Sequence, residues 1–150
     1  MADERTAKNP LGPTGETVRE NVERLRTARR LTYKELAERL ERNGRPIPVL
    51  GLSRIEKGAR RVDADDLVAL AHALGVNPSA LLFPPADDED ESVAVSGAGR
   101  HPAAVVWDWA DGKMPLVDVA WDEGQVFDFH RYGRPPGRRQ RFAGRADGER

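Results

Sequence analysis

The sequence predicts an all-α domain of five helices over residues 14–83, followed by a C-terminal extension whose structure could be mixed α/β. Three observations support this: apolar residues recur at helical spacing, helix-capping residues precede these segments, and glycines follow several of them. We expect residues 1–13 to be a flexible arm and residues 84–100 an acidic linker. Residues 101–132 form an accessory segment that contains aromatic residues, and residues 133–150 a basic flexible tail.

The first two helices are predicted from an apolar face and from a capping motif. Val18 and Val22 lie one turn apart in a helix expected from about Gly15 to Arg30. The second helix begins at Thr32, because Thr32 and Glu35 have the spacing of a capping box, in which each side chain binds the other residue's amide.

Caps and glycines predict the bounds of the next three helices. The third begins near Pro48, since proline suits the first helical turn, and ends at Gly58. The fourth has Asp63 as its N-cap and Gly75 after its last turn. A short fifth helix follows Asn77-Pro78.

The extension contains too many aromatic residues for a disordered tail. Every tryptophan of the chain and three of its four phenylalanines follow residue 100: Trp107, Trp109, Trp121, Phe127, Phe129 and Phe142. So short a segment cannot bury them all by itself. We therefore expect it to pack on another surface, either as a dimer contact or folded back on the five helices.

The secondary structure of the extension is ambiguous. Pro102 to Ala110 could be a short helix that ends at Gly112. Val117 to Trp121 alternates apolar and acidic residues, as an edge strand does, and a turn at 122–124 could lead into a second strand at Gln125 to Phe129.

Charge and composition exclude several classes of protein. The net charge is −1, but residues 1–83 contain 15 Lys and Arg against 12 Asp and Glu. An acidic run, Asp87 to Glu91, separates this basic part from a second run of arginines after residue 130. The chain has no cysteine, no glycine-rich phosphate loop and no histidine cluster at metal-ligand spacing. We therefore expect a cytoplasmic protein that is not an enzyme and needs no cofactor, no metal and no membrane.

Three motifs in order then carry a resemblance: Leu31 to Ala37 (LTYKELA), Leu52 to Gly58 (LSRIEKG) and Leu67 to Val76. Together they resemble the Xre family, the lambda-repressor and Cro type of helix-turn-helix protein. The resemblance covers about 65 residues and implies a five-helix, lambda-repressor-like domain that binds double-stranded DNA, usually as a homodimer. The positions that match the family's core are Leu36, Ala37, Leu52, Ile55, Leu67 and Leu70.

The resemblance also implies roles for polar residues. Arg26 matches an arginine that pairs with the glutamate after the recognition helix, here Glu56. Tyr33 stands where the family commonly has a glutamine that contacts phosphate, and Lys34 adds a charge beside it. Further phosphate contacts are expected from Arg45, in the turn before the third helix, and after that helix from Lys57, Arg60 and Arg61.

The resemblance implies that the third helix is the recognition helix. Arg54 can bind guanine through two hydrogen bonds, and Ser53 can contact a base or a phosphate. Val49 and Leu50 can only touch a thymine methyl, so they rank below the polar pair. Gly51 weakens the helix by about 1 kcal/mol relative to alanine.

The turn before this helix is longer than the family's by about five residues. The second helix could run longer, or Arg42 and Arg45 could contact phosphate from the turn. Alternatively, Pro46 to Leu50 could be non-helical.

The function expected from this comparison is a sequence-specific transcriptional regulator that acts as a repressor. The alternative is a protein-interaction module, such as an antitoxin or scaffold, whose aromatic extension binds a protein partner.

Overall fold

The computed structural model describes residues 10–116 and 122–139. The predicted N-terminal arm lies mostly outside these ranges, as do the strand expected at Val117 to Trp121 and the end of the basic tail. The first five elements are helices, as predicted: α1 (Pro13–Ala28), α2 (Tyr33–Arg42), α3 (Val49–Glu56), α4 (Ala64–Leu74) and α5 (Ser79–Leu82). No helix in the described ranges combines the length and apolar character needed to cross a membrane.

Local chemistry sets the ends of these helices. Thr32 accepts a hydrogen bond from the Glu35 amide, and the Glu35 side chain accepts one from Thr32, so the predicted capping box is confirmed. Asp63 caps α4 through the amide of Asp66. Gly75 then adopts a left-handed conformation, with φ of 72°, that closes α4.

The core of the five helices is apolar and continuous. Residues of α1 to α5 and of the loops between them contribute to it: Val18, Val22, Leu31, Leu36, Leu40, Ile47, Leu52, Ile55, Leu70, Ala71, Ala73, Leu74 and Leu81. Ile47 belongs to the long turn and is almost fully buried, so the turn is anchored in the core. The turn lies between the end of α2 at Arg42 and the start of α3 at Val49.

The extension forms a second, smaller core against the first. An antiparallel hairpin of β1 (Ser92–Val95) and β2 (Gly99–Pro102) leads into α6 (Ala103–Ala110). Their apolar side chains pack on Phe83, whose ring makes edge contacts with Trp107 and Trp109.

One reciprocal pair of hydrogen bonds joins this part of the extension to the helical domain. The Thr14 amide donates to the Ser96 hydroxyl, and the Ser96 amide donates to the Thr14 hydroxyl. Within the helical domain, the buried Asn21 donates to the carbonyls of Leu81 and Phe83, so the end of α5 and Phe83 are held against α1. The hairpin and α6 are therefore folded back on α1, which is one of the two arrangements expected.

Two expectations for the extension are wrong. The segment interpreted as an acidic linker contains β1, because Val93 and Val95 alternate with more exposed neighbours and are buried on Phe83. The strand expected at Gln125 to Phe129 is instead part of a helix, α7 (Glu123–Gly133).

The cause of the second error is a capping box at the start of α7. The Asp122 side chain accepts from the Gln125 amide, and Gln125 reaches back to the Asp122 amide. This favours a helix over the alternating pattern of Phe127 and Phe129. The short helix expected before Gly112 is confirmed as α6.

Candidate nucleic-acid interface

Helix α3 has one exposed face, which the four predicted base-contacting residues share. Val49 and Leu50 are 45% and 60% exposed, Arg54 is exposed and Ser53 is half-buried. Positions three and four apart are neighbours on a helix surface, so Ser53 lies beside Val49, and Arg54 beside Leu50. The opposite face carries Leu52 and Ile55 and is buried, so this surface is held rigidly. Base contact by these residues stays a prediction.

The predicted pair of Arg26 and Glu56 forms. Arg26 Nε lies 2.6 Å from Glu56 Oε1, and Arg26 Nη2 lies 3.1 Å from Oε2. The hydrogen bond to Glu56 raises the pKa of Arg26 above its usual value. Because the Glu56 carboxylate is buried, this two-bond pairing fixes the last turn of α3 to α1.

Tyr33 faces inward, which the sequence comparison does not predict. Its hydroxyl donates to Glu56 Oε2 at 2.6 Å, and its ring lies against the Arg26 guanidinium, 4.2 Å from the ring centre. The hydrogen bond to Glu56 raises the pKa of Tyr33. A phenol has one proton to donate, so in this arrangement Tyr33 cannot also donate to a phosphate.

Ser53 lies beside the same cluster, and its interaction with Tyr33 lowers the pKa of Tyr33, against the larger effect of Glu56. Ser53 is half-buried, whereas Arg54 is exposed, so Arg54 is the stronger candidate for base recognition.

Arg45, another expected phosphate contact, is 45% exposed and pairs with carboxylates of the protein itself. Its Nε donates to Asp66 Oδ1 at 3.0 Å, and its Nη2 lies 3.4 Å from Asp63 Oδ2. The hydrogen bond to Asp66 raises the pKa of Arg45. Arg45 thus ties the turn before α3 to the start of α4.

Arg60 contacts the same carboxylate from the other side of α3. Its Nη2 donates to Asp66 Oδ2 at 3.1 Å, and its Nη1 lies over Gly51. Sequence reasoning missed the role of Asp66. The only signal was an acid in the first turn of α4, which has a sufficient explanation in the helix dipole.

The remaining predicted phosphate contacts lie on the surface. Lys34 and Lys57 are exposed, and neither forms an ion pair with a residue in the described ranges. The hydrogen bond between Tyr33 and Glu56 brings the backbone near these two lysines together, because Tyr33 precedes Lys34 and Glu56 precedes Lys57. Arg61 is exposed and donates to the Pro10 carbonyl at 2.6 Å. Within residues 10–116 and 122–139, no group of His, Asp or Glu is arranged to hold a metal ion.

A match to one protein-family model agrees with this geometry. A family model described as "Helix-turn-helix" matches residues 22–81, which span α1 to α5. No curated protein matches the chain. Among solved structures, the crystal structure of the clp gene regulator ClgR from C. glutamicum matches at 27% identity, with a TM-score of 0.41, over 49% of this chain and 87% of that one.

Proposed function

We propose that this chain, whose residues 22–81 match a helix-turn-helix family model, binds double-stranded DNA and acts as a transcriptional regulator. The single observation that carries the proposal is the exposed face of α3, where Val49, Leu50, Ser53 and Arg54 lie together on a helix fixed from both sides. The major groove of B-DNA admits one α-helix of this kind.

The side chains of α3 suggest what is recognised. The Arg54 guanidinium can donate two parallel hydrogen bonds to O6 and N7 of guanine. Val49 and Leu50 have no polar group, but they can contact the methyl group of thymine. The proposed half-site therefore contains guanine next to at least one thymine.

Lys34 and Lys57 supply the proposed phosphate contacts. Both are exposed and lie near the two ends of the Tyr33 and Glu56 hydrogen bond. Because such contacts release counterions, affinity should fall steeply with salt. Arg61 stays a candidate, and Arg45 and Arg60 are weaker candidates because both are hydrogen-bonded to Asp66.

We further propose that the protein acts as a repressor in the cytoplasm and binds its operator as a homodimer, with no enzymatic activity. One recognition helix reads only a few base pairs, and two-fold symmetric binding would double that number. The proposed dimer surface is α7, where Phe127 and Tyr132 are 57% and 75% exposed. The same exposed residues are what favours the alternative function, a protein-interaction module.

Selection from a library of random duplex DNA tests the proposal. We expect an enriched two-fold motif containing guanine and thymine. We also expect the logarithm of the binding constant to fall linearly with the logarithm of salt concentration, with a gradient that we call the salt slope.

The double variant Lys34→Ala, Lys57→Ala should flatten the salt slope by up to about 2 units. Lys113→Ala, whose lysine pairs with Asp108 in the extension, should leave the slope unchanged. Absence of any enriched sequence and of salt-dependent binding would favour the protein-interaction module.

A further inference from the structure

Asp66 is a buried carboxylate that binds arginines from both sides of the recognition helix. Its side chain is 4% exposed. Oδ1 accepts from Arg45, which precedes α3, and Oδ2 accepts from Arg60, which follows α3. Both carboxylate oxygens are therefore occupied, and one residue of α4 connects the two segments that flank α3.

The Arg60 guanidinium fits against α3 only because residue 51 is a glycine. A Cβ at Gly51 would lie 2.5 Å from Arg60 Nη1, which is closer than such atoms approach. It would also lie 3.1 Å from Ile47 Cγ2. Gly51 comes three residues before Arg54, so the Arg60 guanidinium lies at the edge of the face proposed to contact bases.

Arg45 gives the long turn a second anchor. Ile47, two residues later, is buried in the core, and Arg45 binds the carboxylates at the start of α4. An apolar and an ionic contact therefore hold the turn that delivers the chain to α3.

We infer that Asp66 is a positioning residue for DNA recognition: it holds Arg45 and Arg60 against the protein, where they orient α3 instead of adding sequence-independent contacts to phosphate. This inference rests on the proposed DNA-binding function. Two arginines beside the interface would otherwise attract any duplex, because phosphate contacts carry no sequence information. Binding them to Asp66 lowers affinity for random DNA and fixes the helix that reads bases.

The substitution Asp66→Asn tests this role, because it removes the charge and preserves the shape. We expect the ratio of affinities for the selected site and for random duplex to fall by about tenfold. Affinity for random duplex should rise, and its salt slope should become steeper by about 1 to 2 units as the two arginines are released. A purely structural role predicts the opposite sign, with both affinities and the melting temperature falling together.

Asp65→Asn is the matched control. It changes the net charge by the same amount on the adjacent residue, but the Asp65 side chain is 83% exposed and lies 3.9 Å from Arg45. We expect its affinity ratio to stay near that of the wild type. Equal effects of the two substitutions, or an unchanged ratio in Asp66→Asn, would overturn the inference.

A measurement without DNA separates this inference from the proposed function. In the free wild-type protein, the Nε proton of Arg45 should exchange slowly with solvent by NMR, because it is hydrogen-bonded to Asp66. It should exchange quickly in Asp66→Asn and slowly in Asp65→Asn. Fast exchange in the wild type would overturn the inference alone. Slow exchange with no binding to any duplex would overturn the proposed function and the recognition role that rests on it.

Discussion

Glu56 accepts hydrogen bonds from three donor groups that belong to two other helices. Two come from the Arg26 guanidinium on α1, and the third is the Tyr33 hydroxyl on α2. A buried carboxylate is stable only when it is paired and hydrogen-bonded in this way. The pair that the family resemblance implies is therefore part of a larger cluster, which includes the tyrosine first assigned to phosphate.

Replacing Tyr33 with phenylalanine distinguishes its two possible roles. Loss of a hydrogen bond to a carboxylate should reduce the free energy of unfolding by about 1.5 to 3 kcal/mol, measured by urea titration. The salt slope of DNA binding should not change, because the hydroxyl donates inward. Tyr132→Phe is the control, since that side chain is mostly exposed. A flatter salt slope in Tyr33→Phe, without loss of stability, would restore the phosphate role.

Arg54 is the residue whose removal should change which sequences are bound. Without its two hydrogen bonds to guanine, Arg54→Ala should lose about 1 to 3 kcal/mol of binding free energy at the selected site. Repeated selection with this variant should show relaxed preference at one base pair of each half-site. A uniform loss over all sequences, with a flatter salt slope, would make Arg54 a phosphate contact instead.

At the scale of elements, the predictable features are those determined by neighbours in the sequence. The capping box of Thr32 and Glu35, the Asp63 cap and the left-handed Gly75 are local, and each is where the sequence predicts it. The structure of the extension is harder to predict from the sequence, because the burial of Val93 and Val95 depends on Phe83, which belongs to the preceding domain.

The candidate site likewise has features that the sequence predicts and features that it does not predict. Exposure of Arg54 and Leu50 follows from the helical repeat of α3, and it could be predicted. The pairing of Tyr33 and Arg45 with carboxylates could not, because these carboxylates are 23 and 21 positions away in the sequence. Residue type and spacing cannot show whether a cation near a helix end faces an acid of the same protein or the solvent.

The structure explains why residue 51 is a glycine, although glycine has a low helix propensity. Alanine at this position should gain about 1 kcal/mol of helix propensity, but its Cβ would displace the Arg60 guanidinium and crowd Ile47. Because these effects oppose each other, we expect Gly51→Ala to change the free energy of unfolding by less than about 1 kcal/mol. The displaced arginine should make the salt slope for random DNA steeper by about 1 unit.

The control for this substitution is Gly15→Ala. Gly15 is also a helical glycine, but it lies in α1, and the atoms nearest to an added Cβ belong to the apolar side chain of Leu11. Its DNA binding should match the wild type. An unchanged salt slope in Gly51→Ala would mean that the position of the Arg60 guanidinium does not depend on the missing Cβ at residue 51.

At the scale of the whole molecule, two cores adjoin at Leu82, which packs against both, and the second core contains Phe83. The first lies within α1 to α5, and the second joins Phe83 to the hairpin and α6. The end of α7 is attached to the same unit, since Arg134 donates to the Asp111 carbonyl that follows α6. The described part of the extension thus packs on the helical domain from the side of α1, and α7 presents exposed aromatic residues.

Two truncations should separate the stabilising part of the extension from its proposed dimer surface. A chain that ends at Phe83 loses the hairpin and α6, which exposes Phe83 and removes the hydrogen bonds between Thr14 and Ser96. We expect its melting temperature to fall by several degrees, because burial of large aromatic side chains contributes several kcal/mol. A chain that ends at Leu116 keeps this core, so its melting temperature should stay close to that of the full chain. Both should sediment as monomers and bind the operator more weakly if α7 forms the dimer contact. If the chain ending at Leu116 remains dimeric, the proposed dimer surface on α7 is wrong, and the contact lies within residues 1–116.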